Sequence, residues 1–236
     1  MFDTSDTAAL RTWSNGTHIL HHASGKTRQV EVADIPVPLK LFGPWDVSFQ
    51  PNRGAPEKVR LDKLISWAEH DDPGVKYFSG TATYSIKFNV PKDILKKDRQ
   101  VWLDLGKVDV IAQVRVNGKD LGVVWHSPFR LNVTDALRGG SNTLQVDVTN
   151  LWINRLIGDE QYPDDRKWNN ETEGKFPSRS MAQWPDWLTS GKERPVKERV
   201  AFTTWRHWGK DDKLQSSGLI GPVTLQCARL VKTESK

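Results

Sequence analysis

With 236 residues, 37% of them hydrophobic and 27% charged, the chain can bury a real core, as one large all-β domain or as a small two-domain protein. The formal charge of +5 raises nucleic acid as a partner, but Lys and Arg alternate with acids in KDILKKDR and GKERPVKER. Neither a basic stripe nor a binding motif supports nucleic-acid binding. No apolar run approaches the roughly 20 residues of a membrane span, and the balance is that of a soluble globular protein with no membrane partner. The start, MFDTSDTAALRTW, shows no signal peptide, so an exported parent would have lost its signal or carry it upstream. A single cysteine, Cys227, excludes an internal disulfide framework and a multi-cysteine metal site.

In chain order the predicted elements are short strands. THILHHASGKTRQVEV predicts a hairpin turning at Ser24-Gly25-Lys26, and PLKLFGPWDVSF a Gly43-Pro44 break before a further strand. LDKLISWAEH, residues 61–70, suits a turn of helix. GTATYSIKFNVP alternates Ala82, Tyr84, Ile86, Phe88 and Val90 against Thr83, Ser85, Lys87 and Asn89, the period of a half-buried strand. VWLDLGKV is another. VIAQVRVNGKDLGVVWHSPFRLNV carries Asn117-Gly118, the strongest short hairpin signal, between two apolar runs. VTDALRGGSNTLQVDVTN then predicts a brief helical turn, a stop at Gly139-Gly140 and a strand. SGLIGPVTLQCARLVK closes the chain as a strand after a Gly-Pro turn, with Cys227 as a small apolar side chain in it. No long amphipathic helix is visible, and many short strands mean an all-β sandwich or jelly roll.

One region breaks this rhythm. Between Leu151 and Ser217 strand signals nearly vanish while six of the chain's 11 Trp occur: Trp152, Trp168, Trp184, Trp187, Trp205 and Trp208. Disordered segments are poor in aromatics, and long irregular connections in compact domains are functional or packed against something. The expectation is an ordered, Trp-pinned excursion over the end or face of the sandwich. The organisation expected is a strand-rich extension over residues 1–35, a sandwich from 36–150 and 211–236, and a long Trp-rich loop insertion from 151–210.

Three long strings carry a resemblance: GVKYFSGTATY, VTNLWINRLIGDEQYPDD and FTTWRHW, in that order. With LDLGKVDVIAQVRVNGKDLGVVWHSPFRLNV and SGLIGPVTLQ they resemble the sugar-binding domain of family 2 glycoside hydrolases, a galactose-binding-like jelly roll. More narrowly they resemble the C-terminal region of family 106 α-L-rhamnosidases, over residues 35–225. The resemblance implies a non-catalytic, carbohydrate-binding or ancillary module whose parent is periplasmic or secreted. It implies rhamnose-containing polysaccharide, such as pectic rhamnogalacturonan, as ligand, and a catalytic domain of the same parent as partner. The family's acid, base and calcium belong to a much larger barrel, for which a chain of this size, mostly jelly roll, has no room.

By the same resemblance Asn150, Asn154, Arg155, Asp159, Glu160 and Gln161 are candidates for sugar or domain contacts, with Trp152 supplying an apolar face. Amide, carboxylate and guanidinium groups suit the paired donors and acceptors of sugar hydroxyls. The alternative is architectural: Arg155 pairs with Asp159 or Glu160 simply to hold the loop. Asp159, Glu160, Asp164 and Asp165 also raise a small self-sufficient hydrolase, since glycoside hydrolysis needs two carboxyls roughly 5 to 9.5 Å apart. The same oxygens could ligate calcium, although the spacing matches no EF-hand. Trp184 and Trp187 in WPDW, and Trp205 and Trp208 in WRHW, read either as a stacking platform for sugar rings or as glue for the loop. His126 and His207, each beside a Trp, read as hydrogen-bonded structural groups. Sequons at Asn15, Asn132 and Asn170 are within chance for this length.

Overall fold

The structure, a computed structural model, describes residues 9–21, 25–169 and 180–232. Within them the strands run β1 (Ala9–Thr12), β2 (Gly16–His21), β3 (Thr27–Val32), β4 (Leu39–Lys40), β5 (Trp45–Phe49), β6 (Lys58–Leu61), β7 (Thr81–Val90) and β8 (Arg99–Asp104). They continue with β9 (Lys107–Asp109), β10 (Ile111–Val116), β11 (Lys119–Val124), β12 (Arg130–Asn132), β13 (Gly140–Thr149), β14 (Gly218–Gly221) and β15 (Thr224–Lys232). Six form one sheet in the order β11-β10-β13-β7-β5-β6. Five form a second, β1-β15-β8-β12 with β4 also on β15, and β14 with β9 and β2 with β3 make two-stranded pairs. The chain is an all-β sandwich, as the strand rhythm suggested.

The alternation in β7 explains the packing. Ala82, Tyr84 and Ile86 turn inward, and so do Leu144, Val146 and Val148 of the ten-residue partner β13. Successive strand residues face opposite sides, so one apolar set fills the gap between sheets and the other meets solvent. Trp67, 1% exposed, sits at the middle of an aromatic group, 5.7 Å from Phe49, 5.5 Å from Phe78 and stacked at 6.2 Å on Tyr84. The Tyr84 hydroxyl accepts the Leu219 N–H at 3.1 Å, and burial pushes its phenol well above the ordinary tyrosine range.

Local signals are confirmed where they are strong. Asn117 (φ 52°) and Gly118 (φ 80°) join β10 to β11 in two residues, both left-handed as a tight hairpin turn requires. The helical turn expected over residues 61–70 forms at its end: a 3-10 turn at Trp67–Glu69 capped by Ser66, then α1 (Pro73–Lys76) capped by Asp72. The Asp72 carboxylate accepts the N–H groups of Gly74 and Val75, the usual device for satisfying a helix's first donors. Cys227 is buried in β15.

The stretch ahead of residue 36, expected as an extension, contributes β1 to the five-stranded sheet. It also adds Val30, Val32 and Ile35 to the common core. The β2–β3 hairpin is present, but Ser24 of its turn, like the Asn170 sequon, lies outside the described residues. From Leu151 to Ser217 no strand is formed among the described residues, only isolated bridges such as Trp168 with Met181 and Ser180 with Trp205. None of the described helices is long and apolar enough to cross a membrane.

Candidate functional site

The long loop begins where β13 ends, and two asparagines close its neck. Asn150 accepts the Gly80 N–H at 3.0 Å and donates to the Phe78 carbonyl at 2.9 Å and to Ser217 Oγ at 3.3 Å. Asn154, 1% exposed, donates to the Gln215 carbonyl (2.7 Å) and Ser217 Oγ (3.1 Å), and accepts the Gln215 N–H (2.7 Å). Residues some 60 positions apart are thereby held side by side. Asn154→Ala leaves the Gln215 backbone groups unpaired, at roughly 1–3 kcal/mol for such a buried loss. Urea unfolding is expected to show that drop, with faster proteolysis between residues 160 and 214.

Between Asn150 and Glu160 the chain forms α2 (Ile153–Asp159), a seven-residue helix where the expectation was an irregular, Trp-pinned loop. It is buried on all sides, from Asn154 through Arg155, Leu156, Ile157 and Gly158 to Asp159. Tertiary contacts make that helix, because seven residues are too few to hold one alone.

The acidic cluster is matched, group by group, with arginine. Asp159, 3% exposed, accepts the N–H groups of Val200 (3.0 Å) and Ala201 (2.7 Å). Arg155 Nε lies 2.9 Å from Asp159 Oδ1, an ion pair without the alignment of a hydrogen bond. Glu160 takes Arg199 at 3.1 Å and Arg206 at 2.7 Å. Asp164 takes Arg199 and the Trp168 indole N–H, both at 3.1 Å. The Asp165 side chain is fully buried, between Arg166 (2.8 Å) and Arg194 (2.6 Å). Burial by itself disfavours its charge, but the hydrogen bonds and charges of those two arginines more than offset that and hold the carboxyl below its ordinary value. A general acid needs the opposite environment.

The arginines in turn bind the loop's backbone. Arg199 donates to the carbonyls of Pro163 (2.7 Å) and Tyr162 (2.9 Å), Arg194 to those of Arg199 (2.6 Å) and Ala201 (2.8 Å). Five arginines, at 155, 166, 194, 199 and 206, are thus the structural heart of the loop. Sequence reading missed four of them. Arg194 and Arg199 sit in GKERPVKERV, which looks like a solvated charged run; the available signal was guanidinium among tryptophans, since Arg stacks on rings and binds carboxylates bidentately where Lys does neither as well. No group of three or more His, Cys, Asp or Glu that could hold a metal ion occurs among the described residues.

The tryptophans fall into two sets. Trp187 donates its indole N–H to the Asp165 carbonyl (2.9 Å), lies under Arg194 (5.3 Å) and meets Phe202 edge-on (5.8 Å). Trp168 packs under Arg166 (5.4 Å) and Arg206 (5.8 Å), and the half-buried Trp208 lines a small cavity with Leu156 and Arg206. These three bind the loop together. Trp152 (59% exposed), Trp184 (59%) and Trp205 (44%) stand in solvent. Trp152 and Trp205 line an open hollow of about 280 Å³ with Phe202, Thr203, Thr204 and His207, and Trp184 stacks parallel on Phe202 at 6.4 Å. Gln161, exposed, donates to the Lys210 carbonyl (2.8 Å). His126 stands away from this group of residues, exposed beside Trp125 at 4.9 Å, with Nδ1 2.9 Å from the Ser127 carbonyl.

Residues 65–194, more than half the chain, match the family described as glycosyl hydrolase 2 galactose-binding domain-like. A curated relative from Formosa agariphila, named a putative beta-glucuronidase, is 47% identical over 210 residues, covering 89% of this chain and 17% of its own length. The solved structure of a rhamnosidase from Novosphingobium sp. PP1Y is 36% identical, with a TM-score of 0.64, over 85% of this chain and 16% of that one. The chain therefore spans about a sixth of the length of each. It belongs to the glycosyl hydrolase 2 galactose-binding domain-like family.

Proposed function

We propose that the chain is a non-catalytic, carbohydrate-recognising ancillary module of an α-L-rhamnosidase-like glycoside hydrolase, of the family 106 type and C-terminal in its parent. The observation that carries this reading is the hollow between Trp152 and Trp205, an exposed aromatic pair on a loop made rigid by buried arginine–carboxylate pairs. A flat apolar ring suits the C–H face of a sugar, and Thr203, Thr204 and His207 beside it suit hydroxyls. Asn150, Asn154 and Asp159 position this surface from beneath. Trp152, Trp205 and Trp184 are the contact residues, with Gln161 at the rim. The likeness to the Novosphingobium rhamnosidase supports rhamnose-containing polysaccharide as the ligand.

A second reading has the same face resting on the parent's catalytic domain. Leu151 (53% exposed), Leu188 (44%) and Tyr162 (37%) favour it, because they lie on the same loop as the three exposed tryptophans and add apolar surface to it. Titration with rhamnogalacturonan oligosaccharides, followed by Trp fluorescence and by assay of released sugar, separates the readings. Saturable quenching without release is expected. Release of sugar by the purified chain would make it an enzyme. No quenching with the isolated chain would favour the docking reading.

A further inference from the structure

We infer that the outer face of the six-stranded sheet carries a second glycan site, a groove that takes an oligosaccharide bearing a carboxylate. It lies apart from the Trp loop and does not depend on that loop's function. The groove encloses about 700 Å³ and is lined by Phe42, Asp46, Ser85, Lys87, Thr143 and Gln145, with Gly118 at its edge.

The floor is a register of outward residues across three strands: Asp46 of β5 faces Ser85 of β7, Ser85 faces Gln145 of β13, and Lys87 faces Thr143. Other outward residues on this same face are already bonded to one another. Thr83 donates to Asp147 at 2.7 Å, Arg115 pairs with Asp147 at 2.8 Å, and Gln113 donates to Asp120 at 2.8 Å. The side chains of Ser85, Lys87, Thr143 and Gln145 make no hydrogen bond or ion pair with any described residue. The half-buried Ser85 hydroxyl beside the exposed Thr143 hydroxyl, Gln145 amide and Lys87 ammonium offers the mixed donors and acceptors that sugar hydroxyls need.

The wall is aromatic. A Cβ on Gly43 would fall 2.4 Å from the Asp62 carbonyl oxygen, so only glycine lets this backbone pack so closely against residue 62. The link before β5 is pinned there, and Phe42 projects beside it, 71% exposed, with the Lys40 ammonium 5.1 Å from its ring centre. An exposed ring at the edge of a polar groove is a stacking surface for a pyranose. Charge selects the ligand. Of the two charged residues lining the groove, Asp46 is paired with Lys58 at 3.5 Å, which leaves Lys87 to meet an anion. Gln145 precedes Thr149, at the loop's root, by four residues, roughly 13 Å along a strand. One short oligosaccharide therefore need not touch both sites.

The test uses the full chain labelled with ¹⁵N, titrated with tetragalacturonate and, separately, with neutral galactotetraose. Tetragalacturonate is expected to shift the amide signals of Ser85, Lys87 and Gln145, more weakly as salt is raised. Phe42→Ala and Lys87→Gln are each expected to weaken that binding about tenfold or more, the loss typical of truncating an anchoring contact. Both are exposed, so thermal unfolding should match wild type. Trp152→Ala should leave this binding unchanged, which keeps the groove's failure distinct from failure of the Trp-loop reading. The inference is overturned if tetragalacturonate moves only loop signals or none, if galactotetraose binds equally well, or if neither Phe42→Ala nor Lys87→Gln weakens binding.

Discussion

Asp165→Ala is expected to destabilise the protein by about 3–5 kcal/mol, the usual cost of removing one partner from a buried ion pair. The side chain is wholly buried, and both its oxygens are taken, one by Arg166 and one by Arg194. Arg166 is itself buried, packed 4.3 Å over Phe202, so its charge has no route to water once the carboxylate is gone. Against a total stability of roughly 5–15 kcal/mol for a domain, such a loss is large. Urea unfolding at pH 7 measures it. The pH dependence has a definite sign: the folded-state pKa of Asp165 is lowered from 3.8, so its contribution is complete above that value and is lost as pH falls through the lower, folded-state one. The gap in unfolding free energy between wild type and Asp165→Asn should be constant from pH 5 to 7 and narrow only below about pH 4. A gap that narrows near neutrality, or a cost under about 1 kcal/mol, would mean that the two arginines find other partners and the clamp is not what orders the loop.

Trp152→Ala is expected to do the reverse: abolish most glycan or partner binding at the loop while leaving stability within about 0.5 kcal/mol, as for other exposed substitutions. Trp152 precedes α2 and supports it through its backbone, whose carbonyl accepts the N–H groups of Arg155 (3.0 Å) and Leu156 (3.1 Å). Alanine preserves those bonds. The 59% exposed indole contributes the wall of the hollow it shares with Trp205. Removing either ring should weaken rhamnogalacturonan binding by about tenfold or more, as expected for an aromatic anchor. Removing both should gain little further if they clamp one sugar between them, because contacts to one shared ligand are not additive. Calorimetric titration beside a thermal melt reads both quantities. Trp152→Ala that unfolds the chain would make this residue part of the core.

The strands were legible because a single physical rule writes them into the sequence. Alternation in GTATYSIKFNVP and NTLQVDVTN marks the two long central strands, and Asn117-Gly118 fixes the turn whose backbone angles only such residues accept without strain. The loss of strand signals after Leu151 and the cluster of Trp marked the loop as the unusual element. What the loop holds was not legible in the same way. Asn150 and Asn154 look like sugar-binding amides, yet their partners, Ser217 and Gln215, lie more than 60 positions away. Nothing local announces such a partner. The acids of GDEQYPDD likewise left sugar contact, catalysis, calcium and loop architecture open, because their partners Arg194, Arg199 and Arg206 arrive from distant turns.

By itself, then, the sequence determined the all-β sandwich, its strand phases and the position of the excursion, since periodicity and turn chemistry act between near neighbours. The tertiary structure alone decided which of the loop's polar groups are used up and which rings are left free. Burial, charge pairing and exposure depend on what long-range folding brings alongside each side chain. That is why Trp152 and Trp205 face solvent together while Trp187, in an equally plausible motif, is half-buried with Arg194 over its ring.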